Sequence, residues 1–208
     1  MLELLAGAGL STAAGLNAAL PLLVLGALDR WTGLVDLPDA WSWLSDPWVL
    51  AILGVLLLVE VVADKVPGAD HVNDVLQTLV RPTAGGLAFG AGAGSRTAAV
   101  TDPASFFTTD AWVPVAIGVL LALGVHVSKA TTRAVVNAAT LGVGGPVLSA
   151  AEDVTSLVLS VAAIIVPVLV VAVLGLMVWF VARAFRRRRA ARTGGRDVRS
   201  APSEGTGT

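Results

Sequence analysis

The sequence predicts an all-α membrane protein, folded as a polytopic bundle of about five to six segments. Of its 208 residues, 55% are hydrophobic and only 14% are charged, whereas a soluble domain carries about 25% charged residues. Several apolar runs come close to the roughly 20 helical residues that cross a hydrocarbon core. Tryptophan occurs six times and tyrosine never, and four of the tryptophans fall in one connecting region, as in an interfacial belt. These observations exclude an ordinary soluble fold.

The first predicted span, residues 2–28, contains a proline. Pro21 cannot donate a helical hydrogen bond and its ring clashes with the preceding turn, so we expect a kink near Asn17. Two roles are open to the Asn17 side chain: it can satisfy the freed backbone groups, or it can face a polar interior. The acidic, tryptophan-rich segment 29–46 that follows predicts a short amphipathic helix at the non-cytoplasmic surface.

The middle of the chain carries an internal duplication, with repeat units of about 46–94 and 110–152. Their first 28 residues align without a gap, 64 positions apart, and the identities include the only two lysines of the chain, Lys65 and Lys129. Each unit reads as a span followed by a segment that glycines interrupt. The two copies are parallel if both of these segments cross the membrane, and inverted if one of them re-enters.

The glycine-rich segment of the first unit has a four-residue spacing. Gly86, Gly90 and Gly94 put a smooth stripe on one helix face, which allows close approach of another helix. We therefore expect helix packing here rather than a flexible stretch. As an alternative for the same segment, Arg81 and Pro82 can begin a broken or re-entrant helix, which is tolerated where protein or water covers it.

The chain ends in a long predicted helix, 154–184, with a kink at Pro167, and then in a basic tail. Residues 183–208 hold eight of the fourteen basic residues, and a basic cluster directly after an apolar helix is the positive-inside pattern. The transmembrane domain therefore covers residues 1–184, and residues 185–208 form a disordered cytoplasmic tail. With six crossings the N-terminus is cytoplasmic too. The expected location is the inner membrane, and a nucleic-acid partner is not expected.

Charged residues stand where the second predicted span ends. Glu60 and Asp64 are four residues apart and therefore share a helix face, with Lys65 beside them. Counted from the interfacial Trp48, Glu60 lies roughly 20 Å into a hydrocarbon core of about 30 Å. A carboxylate at that depth is costly unless it is paired, protonated or hydrated, and such residues usually mark a pathway or an ion pair.

The second copy replaces these acids with bases. His126, Lys129 and Arg133 follow one another at spacings of three and four residues, on one helix face. An acidic copy facing a basic copy has two interpretations: a structural network of ion pairs, or a polar cavity in which His126 titrates near neutral pH. Glu152 and Asp153 precede the last predicted helix, where they would cap it or join the cavity.

Sequence motifs give no support for enzymatic chemistry. The chain has no hydrolase, nucleotide-binding or dinucleotide-binding pattern. It has no cysteine, and the spacing of its two histidines to the acids makes no metal site. We therefore expect neither an enzyme nor a cofactor or bound metal.

Five stretches of the chain resemble one known family. They are G-L-S-T-A-A-G-L-N-A-A-L-P-L-L (Gly9 to Leu23), E-V-V-A-D-K-V-P (Glu60 to Pro67), V-N-D-V-L-Q-T-L-V-R-P (Val72 to Pro82), H-V-S-K-A-T-T-R (His126 to Arg133) and G-G-P-V-L-S-A-A-E-D (Gly144 to Asp153). The family is one of small bacterial integral membrane proteins, catalogued as domain of unknown function 4126, and the resemblance covers about residues 5–180. It implies a membrane location and supplies no activity.

Buried charge and duplication together favour a small transporter or channel-like protein for a small ion or solute. The predicted binding residues are Asn17, Glu60, Asp64, Lys65, His126, Lys129, Arg133, Glu152 and Asp153. The acids would bind a cation or proton, and the bases would balance them or bind an anion. The alternative is a non-transporting membrane protein that binds lipid or a partner protein. Its ion pairs would be structural, and its glycine stripe would pack a partner or a second copy of the chain.

Overall fold

The computed structural model describes residues 1–64, 69–97 and 112–172, together with residues 175, 176, 179 and 183. These residues are mostly helical, which confirms the predicted helical class. The helices are α1 (Leu2–Leu16), α2 (Ala19–Trp31), a 3-10 helix (Asp39–Ser45), α3 (Pro47–Ala63), α4 (Ala69–Gly94), α5 (Trp112–Thr140) and α6 (Gly145–Ile165). Two short strands, β1 (Val35–Asp36) and β2 (Arg96–Thr97), pair antiparallel.

The chain divides into two compact units, residues 1–171 and residues 172–208. The first unit is the helix bundle. In the second, the guanidinium of Arg183 lies 5.3 Å from the ring centroid of Trp179, a cation–π contact. The basic tail 185–208 lies outside the described residues, so its predicted disorder stays a prediction.

The first predicted span is two helices rather than one kinked helix. α1 ends at Leu16, Asn17 has an extended backbone (φ −143°, ψ 120°), and α2 begins at Ala19. Pro21 lies in the first turn of α2, where its missing N–H is tolerated, and it cannot donate to the carbonyl of Asn17 four residues earlier. The break falls where the proline removes the helical hydrogen bond. It leaves backbone groups of two helix ends inside the bundle.

The segment 29–46 is not the amphipathic helix that its composition predicted. After strand β1 it forms the 3-10 helix, of which only Leu44 is buried. Pro38 precedes that helix, and the amide of Leu37 donates to the Asp29 carboxylate at 2.8 Å. A proline and a hydrogen bond from backbone to side chain both favour a turn over a continuous helix.

The two copies of the duplicated sequence differ in the middle. In the first copy α3 and α4 are separate helices, whereas in the second α5 runs unbroken for 29 residues through the aligned positions. Pro67 and Gly68 of the first copy align with Thr131 and Thr132 of the second, and proline and glycine disfavour a helix interior. α5 therefore continues well past the position that aligns with the end of α3. The duplication itself stays a prediction.

Two further boundaries differ from expectation. α4 is continuous through Arg81 and Pro82, so neither residue begins a separate element. α6 begins at Gly145, well before the predicted start at 154, because a proline occupies its first turn and provides a preorganised helix N-terminus. α6 ends at Ile165, and its C-cap residue Val166 precedes Pro167, the position at which we expected a kink.

The glycine stripe of α4 packs inside the chain. A Cβ atom added at Gly86 would lie 3.0 Å from α5, and one added at Gly90 would lie 2.7 Å from the Trp41 ring. One added at Gly94 would lie 3.3 Å from Pro38. Since the stripe is occupied by the chain's own residues, it offers no face for a second subunit, contrary to the alternative considered for it.

Two described helices, α5 and α6, are long and apolar enough to cross a membrane. A third span results if the 3-10 helix and α3, which are bent by 61° relative to each other, count as one broken span. Large apolar side chains on these helices stay exposed, such as Leu120 (69%) and Val154 (62%). Such apolar surface suits lipid rather than water. These are the features of a membrane protein, while the five to six crossings and the orientation of the termini stay predictions.

Candidate functional site

In the part of the chain that the structure describes, six ionisable side chains from different helices meet inside the bundle. Three are acidic and three are basic, and each is at most 9% exposed. We call them the charge cluster; its members are Glu60 of α3, Asp64 directly after α3, Arg81 of α4, Lys129 and Arg133 of α5, and Glu152 of α6. The cluster is formally neutral, which is what burial of so many charges requires.

Helical spacing decides which side chains each helix contributes. Glu60 and Asp64 are four residues apart, and so are Lys129 and Arg133. Residues four apart lie on one helix face, so each pair enters the interior together. The acidic pair and the basic pair, which lie at neighbouring positions when residues 46–73 are aligned with residues 110–137, face each other in the bundle.

The Asp64 carboxylate is the point where the three cations meet. Its Oδ2 atom lies 2.7 Å from Nη2 of Arg133 and 3.4 Å from Nζ of Lys129. Nη2 of Arg81 is 3.9 Å away. One carboxylate oxygen is therefore surrounded by positive charge from two helices, α4 and α5.

Glu152 shares two of these cations. Its Oε2 atom accepts hydrogen bonds from Nε of Arg133 at 3.1 Å and from Nη2 at 2.8 Å, and lies 3.1 Å from Nζ of Lys129. The expectation that Glu152 and Asp153 cap the last helix is wrong. α6 starts at Gly145, so both acids lie in its third turn. Their carboxylates accept hydrogen bonds from Arg133 and Asn17 rather than from the amides of a helix end.

Arg81 is the member that sequence reasoning missed. It is 0% exposed, and its Nη2 atom donates to Oε1 of Glu60 at 2.8 Å. The sequence carried one indication of this role, since an arginine inside an apolar segment needs a partner. Its position beside Pro82 instead favours the start of a broken or re-entrant helix.

The break between α1 and α2 lies against the charge cluster. The carbonyl oxygen of Leu16, at the end of α1, accepts a hydrogen bond from Lys129 at 2.7 Å, and that of Gly15 accepts one from Arg81 at 3.3 Å. At the start of α2, the amide of Ala18 donates to Oε2 of Glu60 at 3.3 Å. A helix C-terminus carries partial negative charge and an N-terminus partial positive charge. The cations therefore meet the end of α1 and the acid meets the start of α2.

Asn17 combines the two roles that the sequence left open. Its side-chain oxygen accepts hydrogen bonds from the amides of Ala19 (3.2 Å) and Leu20 (3.1 Å), which are freed at the start of α2. Its amide nitrogen donates to Oδ1 of Asp153 at 3.0 Å. The residue is 0% exposed, so it both satisfies the backbone and links the break to α6.

His126 is a predicted site residue that is not one of the six members of the charge cluster. His126 is buried on α5, and its Nε2 atom shares a hydrogen bond of 3.1 Å with the hydroxyl of Thr78. It therefore contacts α4 through a neutral side chain. Lys65 lies outside the described residues.

Metal binding finds no support in the described ranges 1–64, 69–97 and 112–172, where no group of three or more acids and histidines could hold an ion. The acids of the charge cluster already have cationic side chains as partners. The charge cluster can exchange one ion pair for another among its six side chains. It can also bind an ion that replaces one of these side chains in a pair.

Comparison with known proteins identifies the family of the chain. Searches among curated proteins and among solved structures found no match to the chain. The profile of one family, described as a domain of unknown function, matches residues 4–187. This match covers most of the chain, and the chain therefore belongs to the family of domain of unknown function 4126 (DUF4126).

Proposed function

We propose that the protein is a small membrane transporter whose solute contacts the charge cluster at the break between α1 and α2. One observation carries this proposal: paired buried charges meet two opposed helix ends in the interior of the bundle. Secondary transporters build their solute sites in this way, from discontinuous helices whose ends face charged groups. The site belongs to a polytopic protein with no enzymatic role.

Energetics supports a functional role for the charge cluster. Burying each charge costs several kcal/mol, and good pairing about offsets that cost, so apolar side chains of similar volume often hold helices together as well or better. Ionisable groups within membrane segments usually mark pathways for ions or protons. Two of the cations, Lys129 and Arg133, belong to a candidate span. The paired cluster is then the closed form, and a solute enters by replacing one of the pairs.

A second candidate is a non-transporting membrane protein that binds lipid or a partner protein. One observation favours it: all six members of the charge cluster have an oppositely charged partner within 3.4 Å. In that case the cluster holds α3, α4, α5 and α6 in register and never opens. Both candidates share a location in the cytoplasmic membrane with cytoplasmic termini, as the basic residues near the C-terminus favour.

Flux measurements in proteoliposomes separate the two candidates. Purified wild type, Glu60→Gln and Lys129→Met are reconstituted, and the fluxes of protons, alkali cations and small anions are compared with those of empty liposomes. We expect flux of at least one solute in the wild type, and loss of that flux in both variants. Ser128→Ala is the matched control, since Ser128 precedes Lys129 but is half-buried, and its hydroxyl bonds only its own helix, at the carbonyl of Gly124.

Folding must be measured alongside flux. Variants that keep the helical circular dichroism of the wild type but lose flux support a pathway through the charge cluster. If the wild type moves none of these solutes, and both variants melt at lower temperature than Ser128→Ala, the structural candidate replaces the transporter.

A further inference from the structure

We infer that the solute is a small divalent oxyanion, which occupies the places that the carboxylates of Glu60 and Asp64 fill in this structure. The inference rests on the proposed transport function and names the chemical class of its substrate. It follows from three features: the loose packing of the helix that supplies the two acids, the net charge of the cluster without them, and the arrangement of the three cations.

Both acids come from the most loosely packed part of the bundle. Of the 17 residues of α3, all of them described, only Leu50, Leu53 and Glu60 are buried. Its outer face is apolar and exposed, as at Val55 (61%) and Leu58 (65%). The helix packs mainly against α2 and the 3-10 helix. The carboxylates of Glu60 and of Asp64, directly after the helix, contact the cations of α4 and α5. Moving α3 outward thus removes both acids from the charge cluster.

The charge that stays behind is positive. Without Glu60 and Asp64 the cluster holds Arg81, Lys129 and Arg133 against the single carboxylate of Glu152, a net of two positive charges. These side chains are at most 9% exposed, and an unbalanced charge in such surroundings is strongly unfavourable. A ligand with two negative charges restores neutrality, whereas a chloride ion restores only half of it and a cation worsens the imbalance.

The three cations are arranged as in a binding site for an oxyanion. Lys129 and Arg133 donate hydrogen bonds to the single Oδ2 atom of Asp64, and the guanidinium of Arg81 lies 3.9 Å from the same atom. Guanidinium forks match the geometry of carboxylate, phosphate and sulfate oxygens. The Ala18 amide at the start of α2, which donates to Glu60, adds a helix N-terminus to the same site. The two carboxylates thus act as internal competitors of the solute.

Sulfate binding to purified protein in detergent tests this inference. Isothermal titration of sodium sulfate, against sodium chloride at equal ionic strength, is made on wild type, Glu60→Gln and Ser128→Ala. Because the competing charge is gone, we expect Glu60→Gln to bind sulfate roughly tenfold more tightly than wild type or Ser128→Ala. Adding Arg133→Met to Glu60→Gln should abolish the binding. If Glu60→Gln does not fold, Asp64→Asn removes the other competitor and takes its place.

A folded Glu60→Gln that binds sulfate no better than wild type, or no better than chloride, overturns the inference. Uptake of labelled sulfate, phosphate and succinate by wild-type proteoliposomes is the second arm, and their relative rates separate inorganic oxyanions from dicarboxylates. Flux of protons or cations without flux of any dianion overturns the inference and leaves the transport function standing. Tight sulfate binding by Glu60→Gln, together with no flux of any solute by the wild type, supports the anion site and overturns the transport function.

Discussion

Arg81 joins the outer helix α3 to the interior of the bundle. Its guanidinium donates to the Glu60 carboxylate, to the carbonyl of Gly15 and, at 3.4 Å, to the side-chain oxygen of Gln77. A planar guanidinium with five donors can serve three acceptors on three elements, while the ammonium of a lysine cannot match this fork geometry. The side chain is therefore both a charge partner and a geometric link between α1, α3 and α4.

Replacing Arg81 by methionine leaves the Glu60 carboxylate buried without its closest cation. Removal of one partner of a buried pair costs about 3–5 kcal/mol, so we expect Arg81→Met to lower the free energy of unfolding by that amount. Arg96→Met is the matched control, because Arg96 and Asp36 pair at 3.7 Å with side chains 67% and 69% exposed. Exposed pairs contribute about 0–1 kcal/mol. Chemical unfolding in detergent measures both variants, and equal losses would contradict the role assigned to Arg81.

Asn17→Ala should loosen the start of α2. The substitution removes the acceptor of the Ala19 and Leu20 amides, and loss of such a cap costs about 0.5–2 kcal/mol. We expect faster hydrogen exchange at these two amides than in wild type. Thr131→Ala is the control, since the Thr131 hydroxyl is exposed and bonds only its own helix; its exchange pattern should match wild type. Unchanged exchange in Asn17→Ala would show that the break holds without the cap.

Some contacts between single residues of the site could be predicted from the sequence, and others could not. The pairs at four-residue spacing, such as Lys129 and Arg133, could be recognised because helix periodicity alone puts them on one face. The partnership of Arg81 with Glu60 could not, since these residues are 21 positions apart and only the packing of α3 against α4 brings them together. Asn17 likewise contacts Asp153 across the bundle, a distance that no local pattern encodes.

Close backbone contact holds α4 and α5 together at the scale of the elements. A Cβ atom added at Gly118 of α5 would lie 2.6 Å from Cβ of Phe89 and 2.9 Å from the backbone of Gly86. Glycine at this point allows the two helices to approach. Gly118 aligns with Gly54 of α3, where an added Cβ atom would have no neighbouring element within 4 Å. Equivalent glycines therefore serve packing in one copy only.

Gly118→Ala and Gly124→Ala form a matched pair on one helix. The first alanine has no room against α4, and overpacking typically costs about 1–3 kcal/mol. The second points into open space, where alanine in place of glycine favours the helix by about 0.5–1 kcal/mol. Thermal unfolding in detergent should therefore show a lower melting temperature for Gly118→Ala and an unchanged or higher one for Gly124→Ala. A similar decrease in both would mean that the close contact of α4 with α5 does not decide stability.

Element boundaries could be predicted where prolines mark them. Pro21 and Pro167 each lie close to an observed break, because a proline cannot donate the hydrogen bond that would continue a helix from the preceding turn. Pro82, by contrast, lies within continuous α4, which remains helical through tertiary packing against α1 and α5. The start of α6 at Gly145 could not be predicted because its first turns are only moderately apolar. Hydropathy indicates which residues contact lipid, not which residues are helical.

Charge distribution governs the orientation of the whole molecule. For six crossings, the positive-inside rule predicts a cytoplasmic basic tail and a segment 29–46 on the opposite side of the membrane. The chain has no cysteine, so single cysteines report topology without background. A membrane-impermeant maleimide should label Gly33→Cys in intact cells, at a position that is exposed and has open space around it. It should label Ala201→Cys only after the membrane is opened. Labelling of both in intact cells would contradict six crossings.

Access of water to the charge cluster distinguishes a transporter from a static bundle. Ser149 lies on α6 one turn before Glu152, is 0% exposed, and its hydroxyl has no hydrogen-bond partner among the described residues. Ser160 lies on the same helix, is also 0% exposed, and donates to the carbonyl of Ser156 farther from the cluster. Ser149 is three residues from Glu152 and Ser160 is eight, so we expect water that reaches the cluster during transport to reach Ser149 before Ser160.

The central claim is tested most directly by the rate at which a small hydrophilic thiol reagent modifies Ser149→Cys and Ser160→Cys in proteoliposomes. The reagent is applied from each side in turn, with Leu141→Cys, 94% exposed in the turn before α6, as the reference for full access. The account predicts that Ser149→Cys is modified from at least one side, more slowly than Leu141→Cys, and that Ser160→Cys stays unmodified. Equal protection of Ser149→Cys and Ser160→Cys from both sides would mean that the charge cluster stays dry and only holds the helices together.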